Sequence, residues 1–137
     1  MSPSSSLSEP DGLLTIRTIA MPGDLNYEGD VFGGWLLAQM DLAGGIAARW
    51  RAQGRVATIA IEAMQFHTPM HLGDELSCYC IETRIGRTSM TFRVEAWIRR
   101  RDGGAQIKAT EGIFTFVALD DEGRPRPVPP APATPIV

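Results

Sequence analysis

The period at which apolar residues recur changes once along this chain, and that change limits the folds open to it. Within residues 33–51, apolar side chains recur at steps of three and four, as on one face of a helix: Leu36, Met40, Ala43, Ala47 and Trp50. After Gly54 the period falls to two, the repeat of a β-strand with one buried face. A helix that is this apolar has to pack on the sheet formed by those strands.

Five strands are predicted around this helix, at residues 13–20, 56–66, 75–85, 89–101 and 106–119. The clearest alternation lies in the fourth strand, where one face carries Met90, Phe92, Val94, Ala96 and Ile98. The sequence Asp102-Gly103-Gly104 then gives a strong hairpin signal. Because short turns join the strands after the helix, the sheet is expected to be mainly antiparallel. The fold class indicated is α+β.

Length, charge and composition argue against several classes of protein. The 137 residues suffice for one domain with a buried core, and the net charge of −3 does not favour a nucleic-acid binder. Residues 1–10 do not resemble a secretory signal, and no apolar run approaches the roughly 20 residues of a membrane span. Cys78 and Cys80 point the same way from one strand, so we interpret them as reduced thiols rather than a disulfide or metal site. A cytoplasmic protein is expected, in which a few arginines could still hold a polyanionic small ligand.

Both ends of the chain are expected to lie outside the folded domain. Residues 1–11 include a Ser/Pro-rich stretch and are predicted to be disordered. Residues 121–137 hold six of the ten prolines, which predicts a flexible, extended tail that does not pack. The domain itself is therefore placed at residues 12–120.

The residues best suited to chemistry are concentrated between positions 21 and 45. Asp41 lies in a stretch of helix where almost every other residue is apolar, and burying a carboxylate without partners is costly. A lone helical Asp usually faces solvent, but an apolar helix has few such positions. Gly33 and Gly34 stand where the helix should begin. They either form a simple turn or let a ligand carbonyl approach the unbonded N–H groups of the helix start.

Two further features of this segment have a structural and a functional interpretation. Gly44 and Gly45 each cost about 1 kcal/mol relative to alanine inside a helix. A closely packed neighbour is therefore expected there, in the first place the helix of a second subunit. Asn26 precedes Asp41 by 15 residues. Taken alone it would be a turn residue, and only together with the others does it become a candidate for binding water or a carbonyl.

One run of residues combines these features: Asn26-x-x-Gly29-x-x-Phe32-Gly33-Gly34-x(6)-Asp41. It resembles the signature of hotdog-fold acyl-CoA thioesterases, in particular the bacterial YciA-type hydrolases. Further matching motifs follow in the same order: Gly54-Arg55-Val56-x-Thr58-x-x-Ile61-Glu62-x-Met64-x-Phe66, Pro69-x-x-x-Gly73-Asp74, Gly86-Arg87-Thr88-Ser89 and Phe114-Thr115-Phe116-Val117-Ala118. The resemblance covers residues 13–120.

The resemblance implies a curved antiparallel sheet wrapped around one long central helix. It implies a homodimer with one continuous sheet, assembled into a higher oligomer such as a trimer of dimers. The substrate implied is acyl-CoA, hydrolysed to fatty acid and CoA at the dimer interface without a separate cofactor or metal. Asp41 would be the general base or nucleophile, Asn26 would position water or the thioester, and the Gly33 N–H would polarise the carbonyl.

Other residues are expected to bind the substrate around this centre. Gly34 lies beside Gly33, and the resemblance implies that Thr58 supports Asp41. The turn that lines the CoA channel would contain Arg87, Thr88 and Ser89. Arg87 is the first candidate for the CoA phosphates, followed by Arg124 and Arg126 in the tail.

The separation of Gly33 and Asp41 on the helix, and the charge of Asp41, limit how such a site could work. Gly33 and Asp41 are eight residues apart on the helix, about 12 Å. One helix can hardly bring both to the same carbonyl, so a site shared between two chains is expected. A non-catalytic acyl-CoA binding module would use the same fold but has no reason to place a carboxylate beside an anionic ligand.

Histidine is the residue on which a second alternative enzyme depends. A hotdog dehydratase acting on acyl thioesters would need a histidine paired with a carboxylate. The helix and the loop before it contain none. His67 and His71, which have no acidic neighbours in sequence, are interpreted as surface or turn residues.

Overall fold

The computed structural model describes residues 9–132, and it contains one long helix and five strands. A single 3-10 turn at Pro22–Asp24 precedes the helix. The strands are β1 (Leu13–Ile19), β2 (Val56–Phe66), β3 (Glu75–Ile85), β4 (Ser89–Arg99) and β5 (Ile107–Ala118), and the helix is α1 (Gly33–Ala52). Each lies within one or two residues of its predicted bounds. None of the described helices is long and apolar enough to cross a membrane.

The five strands form one antiparallel sheet in the order β1-β3-β4-β5-β2. The helix contacts every strand of this sheet. β2, which directly follows the helix, pairs with β5 at the edge, so the chain passes over the sheet between β1 and β2. This is the α+β arrangement of a sheet around a single helix that the sequence predicts.

The core lies between the helix and the inner face of the sheet. The predicted apolar face of β4 is buried throughout, and it faces the helix residues Met40, Ala43 and Ala47. Trp50, which was predicted to continue the helix stripe, is 38% exposed, so that part of the prediction is wrong. Trp97 lies on the other face of β4 and is buried there, where its indole N–H donates to Glu95.

Gly44 is explained by contacts inside the chain rather than by a second helix. A Cβ at this position would come within 2.9 Å of Phe116 Cζ and 3.2 Å of Val94 Cγ2. At Gly45, the nearest atom would be Phe116 Cε2 at 3.9 Å, an ordinary contact distance. The expectation that Gly44 serves a helix contact between subunits is therefore wrong, since its lack of a side chain lets the helix approach its own sheet.

The described part of the tail packs against the domain. Arg126 donates to the carbonyl oxygens of Ala52 and Leu119, at 2.7 and 2.9 Å, and so occupies the C-terminal end of the helix. Val128 packs on the core, and its N–H donates to the Arg87 carbonyl. The expected lack of packing is wrong for this part, although its flexibility stays a prediction. Residues 1–8 and 133–137 lie outside the described residues.

Candidate active site

Asp41 and Thr58 form a direct hydrogen bond at the edge of the sheet. The Thr58 hydroxyl, on β2, donates to Asp41 Oδ1 at 2.7 Å. Asp41 is half-buried on the flank of the helix, whereas Thr58 is exposed. The structure thus brings together two residues that are 17 positions apart in sequence. The hydroxyl fixes one carboxylate oxygen, and no described residue donates a hydrogen bond to the other.

Asn26 shapes the loop that leads into the helix. Its side-chain oxygen accepts the N–H groups of Glu28 and Asp30 at 2.9 and 3.1 Å, and its own N–H donates to the Asp30 carbonyl. The turn interpretation is therefore correct for the oxygen. Among the described residues nothing accepts from the side-chain NH2 group, so the turn leaves Asn26 a hydrogen-bond donor.

The helix begins at Gly33 without a side-chain cap. Phe32 is the N-cap residue and provides no capping hydrogen bond, and Leu36 is the first residue whose N–H bonds back into the helix. Within residues 9–132, the N–H groups of Gly33, Gly34 and Trp35 have no acceptor. These amides and the helix dipole produce a positive end that can polarise a carbonyl oxygen.

A cavity of about 240 Å³ lies beside this helix start. Gly33 and Leu36 form one wall, and Phe66, Met70 and Thr110 are among the residues that complete it. Thr110 is completely buried, and its hydroxyl is without a hydrogen-bond partner in the described structure. Sequence analysis missed this residue. The available signal was its position in the row of β5 that otherwise holds Gly112, Phe114, Phe116 and Ala118.

The predicted CoA-binding turn lies at the same end of the sheet as Thr58 but does not touch it. Thr58 pairs with Phe116, which pairs with Met90, so β5 separates the turn from β2. Two strand spacings correspond to about 10 Å. Arg87 is exposed, whereas Thr88 and Ser89 are partly buried. Gly86 donates to the Ser89 carbonyl and closes the turn.

Three residues considered from the sequence, Arg126, His67 and His71, have partners other than those expected. Arg126 caps the helix end, which leaves it unsuited to phosphates. His67 lies 2.9 Å from Glu111 Oε2, and His71 lies 3.4 Å from Asp30 Oδ1. Both histidines thus have acidic partners that sequence proximity could not reveal. The hydrogen bond with His67 lowers the pKa of Glu111, and the positive charge of Lys108 contributes.

Within one chain, the site residues form two separate groups. Asn26 and Gly33 are at the start of the helix, and the Asp41–Thr58 pair lies about two turns further along it, about 12 Å away. No group of three or more metal-binding side chains occurs among the described residues.

A single long helix packed on one antiparallel sheet is the hotdog architecture. The sequence model of the thioesterase superfamily matches residues 28–105, more than half of the chain, and the protein belongs to this family.

The relatives are similar over most of their length. The acyl-CoA thioester hydrolase YciA of Salmonella typhimurium is 45% identical, over 88% of this chain and 92% of the relative. A hexameric thioesterase from Yersinia pestis is 45% identical, with a TM-score of 0.85 over 88% of this chain and 98% of that one. An aspartate-to-alanine mutant of a hexameric broad-specificity acyl-coenzyme A thioesterase is 42% identical, with a TM-score of 0.85 over 88% of both chains.

A more distant structure has been solved with ligands. The acyl-CoA hydrolase of Staphylococcus aureus, in complex with butyryl coenzyme A and coenzyme A, is 32% identical with a TM-score of 0.78. The match covers 83% of this chain and 70% of that one. Three further structures of the same hydrolase carry alanine in place of an aspartate, a threonine or an asparagine.

Proposed function

We propose that this protein hydrolyses the thioester of acyl-CoA to a fatty acid and CoA, with Asp41 as the general base or nucleophile. The observation that carries the proposal is the Asp41–Thr58 hydrogen bond at 2.7 Å on a helix that begins with unbonded amides. The named activity of the relatives, at 45% identity over 88% of the chain, supports it.

The spacing of three residues gives a second line of support. In the Staphylococcus aureus hydrolase, the asparagine, aspartate and threonine replaced by alanine lie 15 and 17 residues apart. Asn26, Asp41 and Thr58 have the same two spacings here. We therefore assign these three residues to one catalytic group, although within a single chain only Asp41 and Thr58 are hydrogen-bonded to each other.

In the proposed mechanism, the thioester carbonyl lies against the Gly33 N–H, which stabilises the negative charge of the transition state. The Asn26 side-chain NH2 donates to the attacking water or to the thioester. Asp41 removes a proton from this water or attacks the carbonyl itself, while Thr58 holds its carboxylate in place. When water is the nucleophile, the CoA thiolate leaves and takes up a proton as the fatty acid forms. When Asp41 is the nucleophile, the thiolate leaves as an acyl–Asp41 anhydride forms, and water then hydrolyses this anhydride to the fatty acid and the free carboxylate. These steps use only side chains and amides of the protein, so no cofactor is required.

The CoA part of the substrate is placed along the turn that precedes β4. Gly34, the second residue of the helix, is proposed to contact the substrate beside Gly33. The turn contributes Arg87, Thr88 and Ser89. Arg87 is exposed, and within the described structure its guanidinium forms no ion pair, so it can bind a phosphate.

Each active site is proposed to be shared between two chains. Gly33 lies about 12 Å along the helix from Asp41, too far for both to act on one carbonyl, and Asn26 lies in the loop before Gly33. Two antiparallel helices related by a two-fold axis would bring the start of one near the middle of the other. β2 has exposed apolar side chains at an unpaired sheet edge, Ile59 at 57% and Ile61 at 38%, which suits pairing with a second copy. The hexameric relatives agree with a dimer assembled further, for which we propose a trimer of dimers.

The proposal is tested by thiol release from acyl-CoA with an Asp41→Asn variant. We expect turnover to fall at least about a hundredfold, the scale for loss of a general base, while the nearly isosteric side chain preserves the fold. Asp11→Asn is the matched control, because this aspartate is exposed and precedes β1, the edge of the sheet opposite to β2. Near-normal turnover of the Asp41 variant would refute the mechanism. Binding of acyl-CoA by the wild type without any thiol release would instead indicate a binding module.

Sharing is tested by co-expressing Asn26→Ala and Asp41→Ala chains. Each variant alone should be a poor enzyme. With random pairing, half of the dimers are mixed, and each mixed dimer holds one intact and one doubly damaged site. Activity should therefore return to about a quarter of wild type. If the mixture is no more active than the average of the two variants, each site belongs to a single chain.

A further inference from the structure

Thr110 is a buried polar residue that neither the fold nor the proposed mechanism uses. Its side chain is 0% exposed, and its hydroxyl has no hydrogen-bond partner within the described residues. Valine has nearly the same shape and would fill this position without an unsatisfied polar group. Packing alone therefore does not account for the hydroxyl, and a partner from outside the chain would.

The cavity that Thr110 lines is mostly apolar and adjoins the helix start, and His67 and Thr68 also line it. Its walls include the side chains of Val31, Leu36, Phe66 and Met70, together with Gly33. The volume of about 240 Å³ corresponds to about eight water molecules at their liquid volume, which is room for a short carbon chain. The outer wall is the ring of Phe66, whose residue is 60% exposed and can move aside as a ligand enters.

The position of Gly33 relates this cavity to the thioester. Since Gly33 both begins the helix and lines the cavity, a carbonyl held by its N–H has its neighbouring atoms at the mouth of the cavity. The apolar walls suit the carbons of an acyl group better than the amides of the CoA arm. An acyl group that enters here extends toward Thr110.

We propose that Thr110 is a specificity-determining residue that binds an oxygen carried by the acyl group close to the thioester, as in 3-hydroxyacyl and 3-oxoacyl chains. This inference rests on the proposed function. A threonine hydroxyl can donate to a keto oxygen and can donate to or accept from a hydroxyl. The Thr110 hydroxyl is already buried without a partner in the ligand-free protein, and an unsubstituted chain leaves it in that state. An oxygenated chain supplies the missing hydrogen bond and so binds more tightly.

The test compares Thr110→Val with wild type on two substrates of equal length, 3-hydroxybutyryl-CoA and butyryl-CoA. We expect the ratio of their kcat/KM values to fall about tenfold in the variant, through loss on the hydroxylated substrate. The matched control is Thr115→Val, on the other face of β5, where the hydroxyl lies 3.3 Å from that of Thr91. This control should leave the ratio unchanged.

Two outcomes of this kinetic comparison would overturn the inference. An unchanged ratio of the kcat/KM values would mean that the Thr110 hydroxyl does not bind the acyl group. An equal loss of kcat/KM on both substrates would mean that its role is purely structural. Equilibrium binding of the two substrates in an Asp41→Asn background, with and without Thr110→Val, separates this inference from the proposed function. A Thr110-dependent binding preference without hydrolysis by the wild type would refute only the function. Binding without such a preference, or no binding at all, would refute the role of Thr110.

Discussion

Replacing Gly44 by alanine should destabilise the protein, although alanine is the better helix former. Inside a helix, glycine costs about 1 kcal/mol relative to alanine, so the substitution gains that amount locally. The new Cβ would lie 2.9 Å from Phe116 Cζ and 3.2 Å from Val94 Cγ2, and Phe116 is buried and cannot easily retreat. Overpacking of a core typically costs about 1–3 kcal/mol. We expect a net loss of about 1 kcal/mol in the free energy of unfolding.

The neighbouring glycine provides a matched control, because its replacement by alanine should raise the free energy of unfolding rather than lower it. At Gly45 the nearest atom to a new Cβ would be 3.9 Å away, so Gly45→Ala should only gain helix propensity, about 1 kcal/mol. The two variants should therefore differ by about 2 kcal/mol, or about 8 °C in Tm for a domain of this size. Chemical and thermal unfolding should be followed at one protein concentration, because assembly contributes to apparent stability.

Three results would speak against this reasoning. If Gly44→Ala is as stable as Gly45→Ala, the close approach to Phe116 does not limit the core. A double-mutant cycle with Phe116→Leu should show favourable coupling, because leucine removes the atom nearest the new Cβ. Absence of coupling would assign the loss to another cause. If Gly45→Ala lowers stability and also dissociates the oligomer, Gly45 lies at a subunit contact.

Two further predictions follow from the pKa values of buried and paired groups. Burial raises the pKa of Cys78 to about 12 and of Cys80 to about 11, so about one thiol in a thousand or fewer is ionised at pH 8. Iodoacetamide should therefore modify neither cysteine in the native protein and both after unfolding; modification of the native protein at the rate of a free thiol would contradict this. The pKa of Glu111 is lowered by its hydrogen bond with His67, so this pair stabilises the fold above the ordinary carboxyl pKa. Its contribution is lost as the pH falls through the lowered value. Glu111→Gln should therefore cost up to about 1 kcal/mol at pH 6 in urea unfolding, and less at pH 3; an equal cost at both would refute it.

The fold was largely predictable because its elements differ in hydrophobic period. The helix shows steps of three and four, and the strands after it show steps of two, so their bounds follow from where the pattern changes. The tail shows the limit of this approach. Its prolines indicate an extended chain, but they do not reveal that Arg126 binds the carbonyls left open at the helix end.

The site was predictable only in part. Asp41 is unusual within an apolar helix, and Thr58 was connected to it through family resemblance, which the 2.7 Å hydrogen bond supports as a contact. The partners of the two histidines were not predictable, because His67 and Glu111 are 44 residues apart and meet only through the pairing of β2 with β5. Thr110 could have been found from the alternation of β5, but its lack of a partner required the packed structure.

The geometry of β2 explains why a simple alternation could not locate the cavity. The register between β2 and β5 shifts between Glu62 and Gln65, where Ala63 adopts a φ of 54°. Such a bulge adds a residue to one strand and changes which face the following side chains occupy. Met64 thereby packs against the core beside Gly112, which has no side chain to oppose it. Beyond the bulge, Phe66 lies opposite Thr110 and comes close to the start of the helix at Gly33. A second register shift lies between Thr58 and Ala60. The wall between the cavity and solvent is thus set by two irregularities in an edge strand, and no periodic pattern in the sequence contains that information.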